Sequence, residues 1–361
     1  MPLNLVVQTA FLGDLLLSIP LLKQCKAQWP NHQLALVCRN GLGEFFLKTG
    51  IVDHVFEIKK GDSASYQKAL SEIQKHQVDF LISPHQSLRT AFFCRKIKAK
   101  KKISFKNFWS GFFFNESVHR DIEFPDAIRQ ISLLQNENPQ LKQHLENFKK
   151  SEEPFKKSAH GHLSAPPAWA SMSLRQQVMN KDLFNALVEK FKLQEFEKAK
   201  SVLIFPGSVW ATKRWTEEGF IKAGVALKEA GYHVLVMGGP GEEELSERVA
   251  VGIGAQSLAG KTKIFESAQL IAHASLVLGN DSASTHLAAV CETPLIAVFG
   301  PTILEFGYRP WSAQSYIVEK TLSCRPCGKH GHKVCPIGTH ECMKGIPAED
   351  VLSTAGFILQ S

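Results

Sequence analysis

Short apolar runs alternate with amphipathic stretches along most of the chain. In the first half, residues 3–7, 33–38, 55–58 and 80–82 are apolar enough for buried strands. Between them, residues 15–26 (with Pro20 inside), a stretch opening at 45–47, and residues 66–75 carry helical spacing. Strands alternating with helices predict a parallel sheet. A basic run with aromatics, RKIKAKKKISFKNFWS at 95–110, interrupts the pattern, and another helix is expected to open at 129–134. Residues 149–172, rich in Lys, Ser, Ala and Pro, read as a linker. The alternation then restarts. Strands are expected at 202–205, 233–237, 274–278 and 295–299, with helices at 220–230, 242–249 and 265–272. Pro294 closes a further small-residue helix after residue 282.

Composition narrows the class. A chain of 361 residues suits two domains, and 44% apolar content gives each a sizeable core. No run approaches the roughly 20 apolar residues that span a bilayer. The opening MPLNLVVQTAFLGDLLLSIPLL lacks a basic leader and is broken by Gly13 and Asp14, so it reads as strand, turn and helix. A cytoplasmic protein is expected. The net charge of +8 favours anionic partners. Four of the eight cysteines are scattered in apolar surroundings. The other four run Cys324-x2-Cys327-x7-Cys335-x6-Cys342, with His330, His332 and His340 among them. In a cytoplasmic chain this spacing suggests metal before disulfides, and a structural zinc is the expectation.

Polar turns follow several strands. Gly13-Asp14 follows the first. PGSVWATKRWTEEGF follows 202–205, and Gly238-Gly239-Pro240-Gly241 follows 233–237. NDSASTH follows 274–278. In open α/β sheets ligands bind at the carboxyl ends of strands, where helix N-termini offer N–H groups to anions.

Together, TAFLGDLLLSIPLL, PGSVWATKRWTEEGF, LVMGGPGEEE, LAGKT and NDSASTHLAAVCETPLIAVFGPT resemble glycosyltransferase family nine, the ADP-heptose:lipopolysaccharide heptosyltransferases. The resemblance covers nearly the whole length. It implies an α/β protein of GT-B architecture, two Rossmann-like domains with parallel sheets facing across a cleft. Residues 1–160 would bind the acceptor and residues 161–361 the nucleotide-sugar. Inverting transfer needs one base for the acceptor hydroxyl, and the family's base matches Asp14, with Gly13 allowing close approach. Lys213, supported by Ser208 and Thr212, is the expected cation for the donor diphosphate, with Arg214 the alternate. Asp281 is expected on the sugar hydroxyls. The helix start of Ser282, Ser284, Thr285 and His286 is expected on the phosphates, and Gly238, Gly239 and Glu242 near the nucleoside.

The departures are Ala283, where the family often carries Gly, and a longer, more basic 95–165 region. Lys100, Lys101 and Lys102 are expected to contact an anionic lipopolysaccharide-precursor acceptor at the cytoplasmic membrane face. The implied donor is ADP-heptose, with no cofactor required for catalysis. Two competing readings stay open: a module binding nucleic acid or a membrane surface through 95–109, and a nucleotide-sugar epimerase. Neither binding module explains Asp14, Lys213 and Asp281 at strand ends, so nucleic acid is not an expected partner.

Overall fold

The structure, a computed structural model, describes residues 1–151, 157–158, 161–198 and 200–360. The chain divides into two compact units. One is Met1–Pro154 with Pro167–Met172, and the other is Phe155–Pro166 with Ser173–Ser361.

The first unit is built on β1 (Leu3–Val7), β2 (Gln33–Arg39), β3 (His54–Ile58), β4 (Val78–Ser83), β5 (Ala99–Phe105) and β6 (Glu116–Val118). The second carries β7 (Ser201–Phe205), β8 (His233–Val236), β9 (Gln256–Ser257), β10 (Leu276–Asn280), β11 (Leu295–Phe299) and β12 (Ser315–Glu319). Every pairing is parallel. The spatial orders are β3-β2-β1-β4-β5-β6 and β9-β8-β7-β10-β11-β12. These are one and the same doubly wound order, repeated. In each sheet the winding reverses beside its first strand, between β1 and β4 and between β7 and β10. That reversal opens the crevice in which such folds bind ligands.

Central strands such as LNLVV and LIAVF are buried at every position, because helices cover both faces of a parallel sheet. The helix Glu217–Glu229 follows β7. Thr216 caps it by accepting the Gly219 N–H at 3.0 Å, and Glu217, Glu218 and Lys228 sit at the ends that suit the helix dipole. Its Phe220 and Ala223 join Ile204, Leu278 and Val298 in the core of the second unit. Among the described residues, no helix is long and apolar enough to cross a membrane.

Three expectations are corrected. The single helix at 15–26 is two, Leu12–Leu16 and Ile19–Gln28. Pro20 falls in the first turn of the second, where its missing N–H costs nothing. The basic stretch 95–110 does not interrupt the alternation of helix and strand. Arg95 and Lys96 end the helix Leu88–Lys96, and Lys100, Lys101 and Lys102 lie inside β5. Each of these three lysines has an internal partner. Lys100 pairs with Asp79 at 2.9 Å, Lys101 with Glu116 at 2.6 Å and with Glu137, and Lys102 donates to the Cys94 carbonyl at 3.0 Å. The linker at 149–172 falls partly outside the described residues. Residues 161–163 are ordered against the second sheet, where His162 bridges Tyr316 and the Ile317 N–H bonds the Gly161 carbonyl, while Pro167–Met172 belongs to the first unit. Gly161 has φ of +76°, and a Cβ there would meet the Ile317 oxygen at 2.2 Å, so only glycine allows this approach.

Candidate functional site

Two clusters form, one at each switch point. In the first unit the chain leaves β1 and enters the helix Leu12–Leu16, with Gly13 and Asp14 in its first turn. Asp14 Oδ2 accepts the Phe11 N–H at 3.2 Å, so the helix-capping role is real. The carboxyl is nevertheless pushed up to about 6, first by desolvation and then by the neighbouring charge of Asp126. Asp126 belongs to the helix Asp126–Ile131, which packs behind the turn. Its Gln130 donates to the Asp14 carbonyl at 3.3 Å and to Asp126 at 2.8 Å, and Ser18 donates to the same Asp14 carbonyl at 3.0 Å.

Basic side chains from beyond the neighbouring strands act on the same region. Arg39, the last residue of β2, donates to the Thr9 carbonyl at 2.9 Å and lies over the Phe11 ring. Lys60 follows β3, and Arg89 follows β4. Lys60 is pushed down by desolvation and by Arg39 and Arg89, while Asp14 pulls it up, so the four charges share one field. His85 is pushed down to about 4 by burial, then by Lys60 and Arg39, and is neutral at pH 7. Its Nδ1 lies 2.7 Å from the Thr9 hydroxyl. Beside Arg89, a recess of about 350 Å³ is lined by Asp62, Tyr66, Phe92 and Lys96.

In the second unit, Asn280 ties the two switch-point strands together. Its amide donates to the Pro206 carbonyl at 2.9 Å after β7, and its oxygen accepts the Trp215 N–H at 2.8 Å. This tie brings the turn after β7 against the turn after β10. Lys213 Nζ lies 2.5 Å from Asp281 Oδ2, which also accepts the Thr302 hydroxyl at 2.7 Å. All three side chains are largely buried. His330 stands close by. It is pushed down by burial and by Lys213 and Lys329, with Asp281 opposing.

The remaining expected donor residues divide. Ser208 is buried in the turn, and its carbonyl accepts from Arg214 at 2.8 Å, which ties Arg214 into the loop. The Thr212 hydroxyl donates to the His332 carbonyl at 2.8 Å, so its one O–H is already committed. Ser282 caps the helix Ala283–Val290 without a side-chain bond to its first N–H groups, and its hydroxyl meets that of Ser284 at 2.8 Å. Thr285 and His286 are buried in the helix, and the Thr285 hydroxyl donates to the Ser282 carbonyl at 2.9 Å. Gly238 and Gly239 follow β8, where the Gly239 N–H donates to Glu242 Oε2 at 2.9 Å. A Cβ on Gly207 would meet the Glu242 carboxyl, so Glu242 lies against the turn after β7.

The four cysteines of the C-terminal segment grade from exposed Cys324 to buried Cys342. Burial, then the nearby Cys327, pushes Cys342 up to about 11. The four thiols are within electrostatic reach of one another, yet among the described residues no three His, Cys, Asp or Glu side chains converge as a metal site requires. No chemical step is assigned to a metal.

Sequence reasoning missed Arg39, Lys60, Arg89, His85, Asp126 and His330. Arg39, Lys60 and His85 end or closely follow β2, β3 and β4, so the strand-end rule that found Asp14 would have found them too, whereas Arg89 lies inside the helix Leu88–Lys96.

Two repeats of the doubly wound order, each with polar side chains gathered at its switch point, define a GT-B protein. Of solved structures, the Escherichia coli ADP-heptose lps heptosyltransferase II superposes with a TM-score of 0.76, over 100% of this chain and 99% of its own, at 17% identity. The family model described as Glycosyltransferase family 9 (heptosyltransferase) matches residues 67–337, and the chain belongs to that family of transferase enzymes. The lipooligosaccharide heptosyltransferase 2 of Haemophilus influenzae is 25% identical over 82% of this chain and 83% of its own length. That of Campylobacter jejuni is 32% identical over 43% of this chain, a match that spans half of its own length.

Proposed function

We propose that the protein is an inverting heptosyltransferase of the lipopolysaccharide inner core. It takes heptose from ADP-L-glycero-D-manno-heptose and places it on an anionic acceptor, Kdo-lipid A or an already heptosylated core, at the cytoplasmic face of the inner membrane. The observation that carries this reading is the Lys213–Asp281–Thr302 group at the switch point of the second sheet. A buried ammonium beside a helix start whose N–H groups lack a side-chain cap suits a diphosphate. Asp281, steadied by Thr302, suits the hydroxyls of the sugar once Lys213 turns to the phosphates. The names of the similar proteins supply heptose, ADP-heptose and lipopolysaccharide as the matching chemistry.

In the reaction, the Asp14 carboxylate takes the proton of the acceptor hydroxyl. That oxygen bonds to the anomeric carbon on the face opposite the diphosphate. The bond from anomeric carbon to diphosphate oxygen breaks, its electron pair leaves with ADP, and Lys213 meets the charge that develops. A carboxyl with its pKa raised to about 6 is ionised at neutral pH and still basic enough to help. Arg39, Lys60 and Arg89 around it suit the carboxylates and phosphates of an inner-core acceptor. They share the role expected of Lys100–Lys102, of which Lys100 and Lys101 are paired with carboxylates and Lys102 is bonded to a backbone carbonyl.

The test is purified protein with ADP-heptose and a panel of Kdo-lipid acceptors, following ADP release. Acceptor-dependent release, absent with UDP-sugars, is the expected result. Release with no acceptor requirement, or interconversion of the sugar nucleotide, would overturn the reading.

A further inference from the structure

The histidine- and cysteine-rich segment was set apart by its sequence, and the proposed reaction does not use it. In the structure it grips both turns of the donor group. On one side, every polar backbone and side-chain group of Thr212 is bonded to it. The Thr212 N–H and hydroxyl both donate to the His332 carbonyl, at 3.2 and 2.8 Å, and the His332 N–H donates back to the hydroxyl at 2.7 Å. The Thr212 carbonyl accepts from His340 Nε2 at 2.8 Å. A carbonyl only accepts, so Nε2 carries the proton. Gly331, at φ of +79°, lets the segment come so close that a Cβ there would stand 3.1 Å from the Thr212 hydroxyl. On the other side, the Cys327 N–H donates to the Pro301 carbonyl at 3.1 Å, and Arg325 donates to the Thr302 carbonyl at 2.8 Å.

Thr212 and Lys213 are neighbours in one 3-10 turn, Ala211–Lys213, and Thr302 holds Asp281. A turn this short has only two bonds of its own, from the Lys213 N–H to the Trp210 carbonyl at 2.9 Å and from the Arg214 N–H to the Ala211 carbonyl at 3.1 Å, so its placement leans on outside bonds. We propose that the segment 327–340 is a positioning strap for the donor site, and that His340 is a positioning residue acting through the Thr212 carbonyl to aim Lys213 at the donor diphosphate. This rests on the reading of Lys213 given above. His340 touches no reacting atom, and its effect is on the orientation of a charged group whose misplacement by about 1 Å costs on the order of 100-fold in rate.

The backbone at His340 is left-handed, with φ of 53°. Asparagine tolerates that conformation, but its amide is too short to reach Thr212. Glutamine places an N–H donor at the reach of Nε2. The experiment is a cycle on the full chain with ADP-heptose as varied substrate and Kdo-lipid A as acceptor, with ADP affinity by calorimetry and a thermal melt for each protein. His340→Asn is expected to lower kcat/KM for ADP-heptose by roughly 10- to 100-fold. His340→Gln should recover most of it. In a Lys213→Ala background, His340→Asn should cost less than about twofold more, because the group it aims is gone. His340→Ala runs the same cycle if the asparagine variant melts early. Losses that multiply in the double variant, or a glutamine variant as poor as asparagine, would overturn the strap. Lys213→Ala that leaves ADP affinity unchanged would instead remove the donor reading itself, which separates the two failures.

Discussion

The two halves of the molecule share one strand order and furnish their switch points in opposite ways. Beside β1 stands a carboxyl raised to about 6 by desolvation and by Asp126, in one field with Arg39 and Lys60 from the ends of other strands and, through Lys60, with Arg89 of the helix Leu88–Lys96. Beside β7 and β10 stands a carboxylate in contact with Lys213 at 2.5 Å and Thr302 at 2.7 Å, on turns cross-tied by Asn280. The difference shows how one fold makes two tools. A desolvated carboxyl near a like charge is tuned to exchange a proton near neutral pH. A carboxylate seated on a lysine and a threonine is a fixed polar surface for something that brings its own charge and hydroxyls. Loose basic side chains around the first suit a large anionic partner, and the tight group at the second suits a small one.

The largest effect should come from the first half. Asp14→Asn is expected to lower kcat by roughly 10²- to 10⁴-fold, the usual worth of a positioned general base, in a single-turnover transfer assay. Activity within a few fold of wild type would leave Asp14 as a helix cap only. Next comes Lys213→Ala, with a loss of roughly 2–4 kcal/mol in transition-state stabilisation, read as kcat/KM for ADP-heptose. Third, Arg39→Gln together with Arg89→Gln should raise KM for Kdo-lipid A by about tenfold and leave the donor KM in place, since a lost charge-assisted contact is worth about 1.5–3 kcal/mol at most. A rise in donor KM instead would erase the division of labour.

The smallest effect is in pH. Asp14 must be ionised to act, so kcat/KM should fall tenfold per unit as pH drops below about 6. Asp126→Asn removes a like charge and should move that inflection to lower pH. The stability sign is the reverse. A carboxyl raised from 3.8 contributes its full share below that value and loses it as pH rises through about 6. Asp14→Asn should therefore stabilise the fold by about 1–3 kcal/mol at pH 7.5, and by progressively less as pH falls toward 4, by chemical denaturation.

Much of the second half was legible because its signals are local. An apolar run such as LVLGN or LIAVF followed at once by Asp, Ser, Gly or Pro marks both a buried parallel strand and its ligand-facing end. What stayed hidden depends on partners distant in sequence. Lysines fill three of the seven positions of β5, and they read as a break in the alternation until Asp79, Glu116 and Glu137 are brought alongside. Arg39, Lys60 and Arg89 are unremarkable one at a time, and only the order β3-β2-β1-β4 gathers them at Asp14. Lys213 and Asp281 were each visible as site residues, but their contact follows from β7 lying beside β10. Thr212 looked like a ligand because a hydroxyl beside a lysine in a turn suggests phosphate, and the segment that occupies that hydroxyl lies 120 residues away.

The most direct test of the central claim, a proton acceptor in one half and a donor cradle in the other, is ADP affinity by titration calorimetry for wild type, Asp14→Asn and Lys213→Ala. Asp14→Asn is expected to bind ADP as wild type does, and Lys213→Ala to bind it more weakly by roughly 30-fold or more, the lower end of the 2–4 kcal/mol above. Wild-type affinity in Lys213→Ala, or a comparable loss in Asp14→Asn, would contradict it.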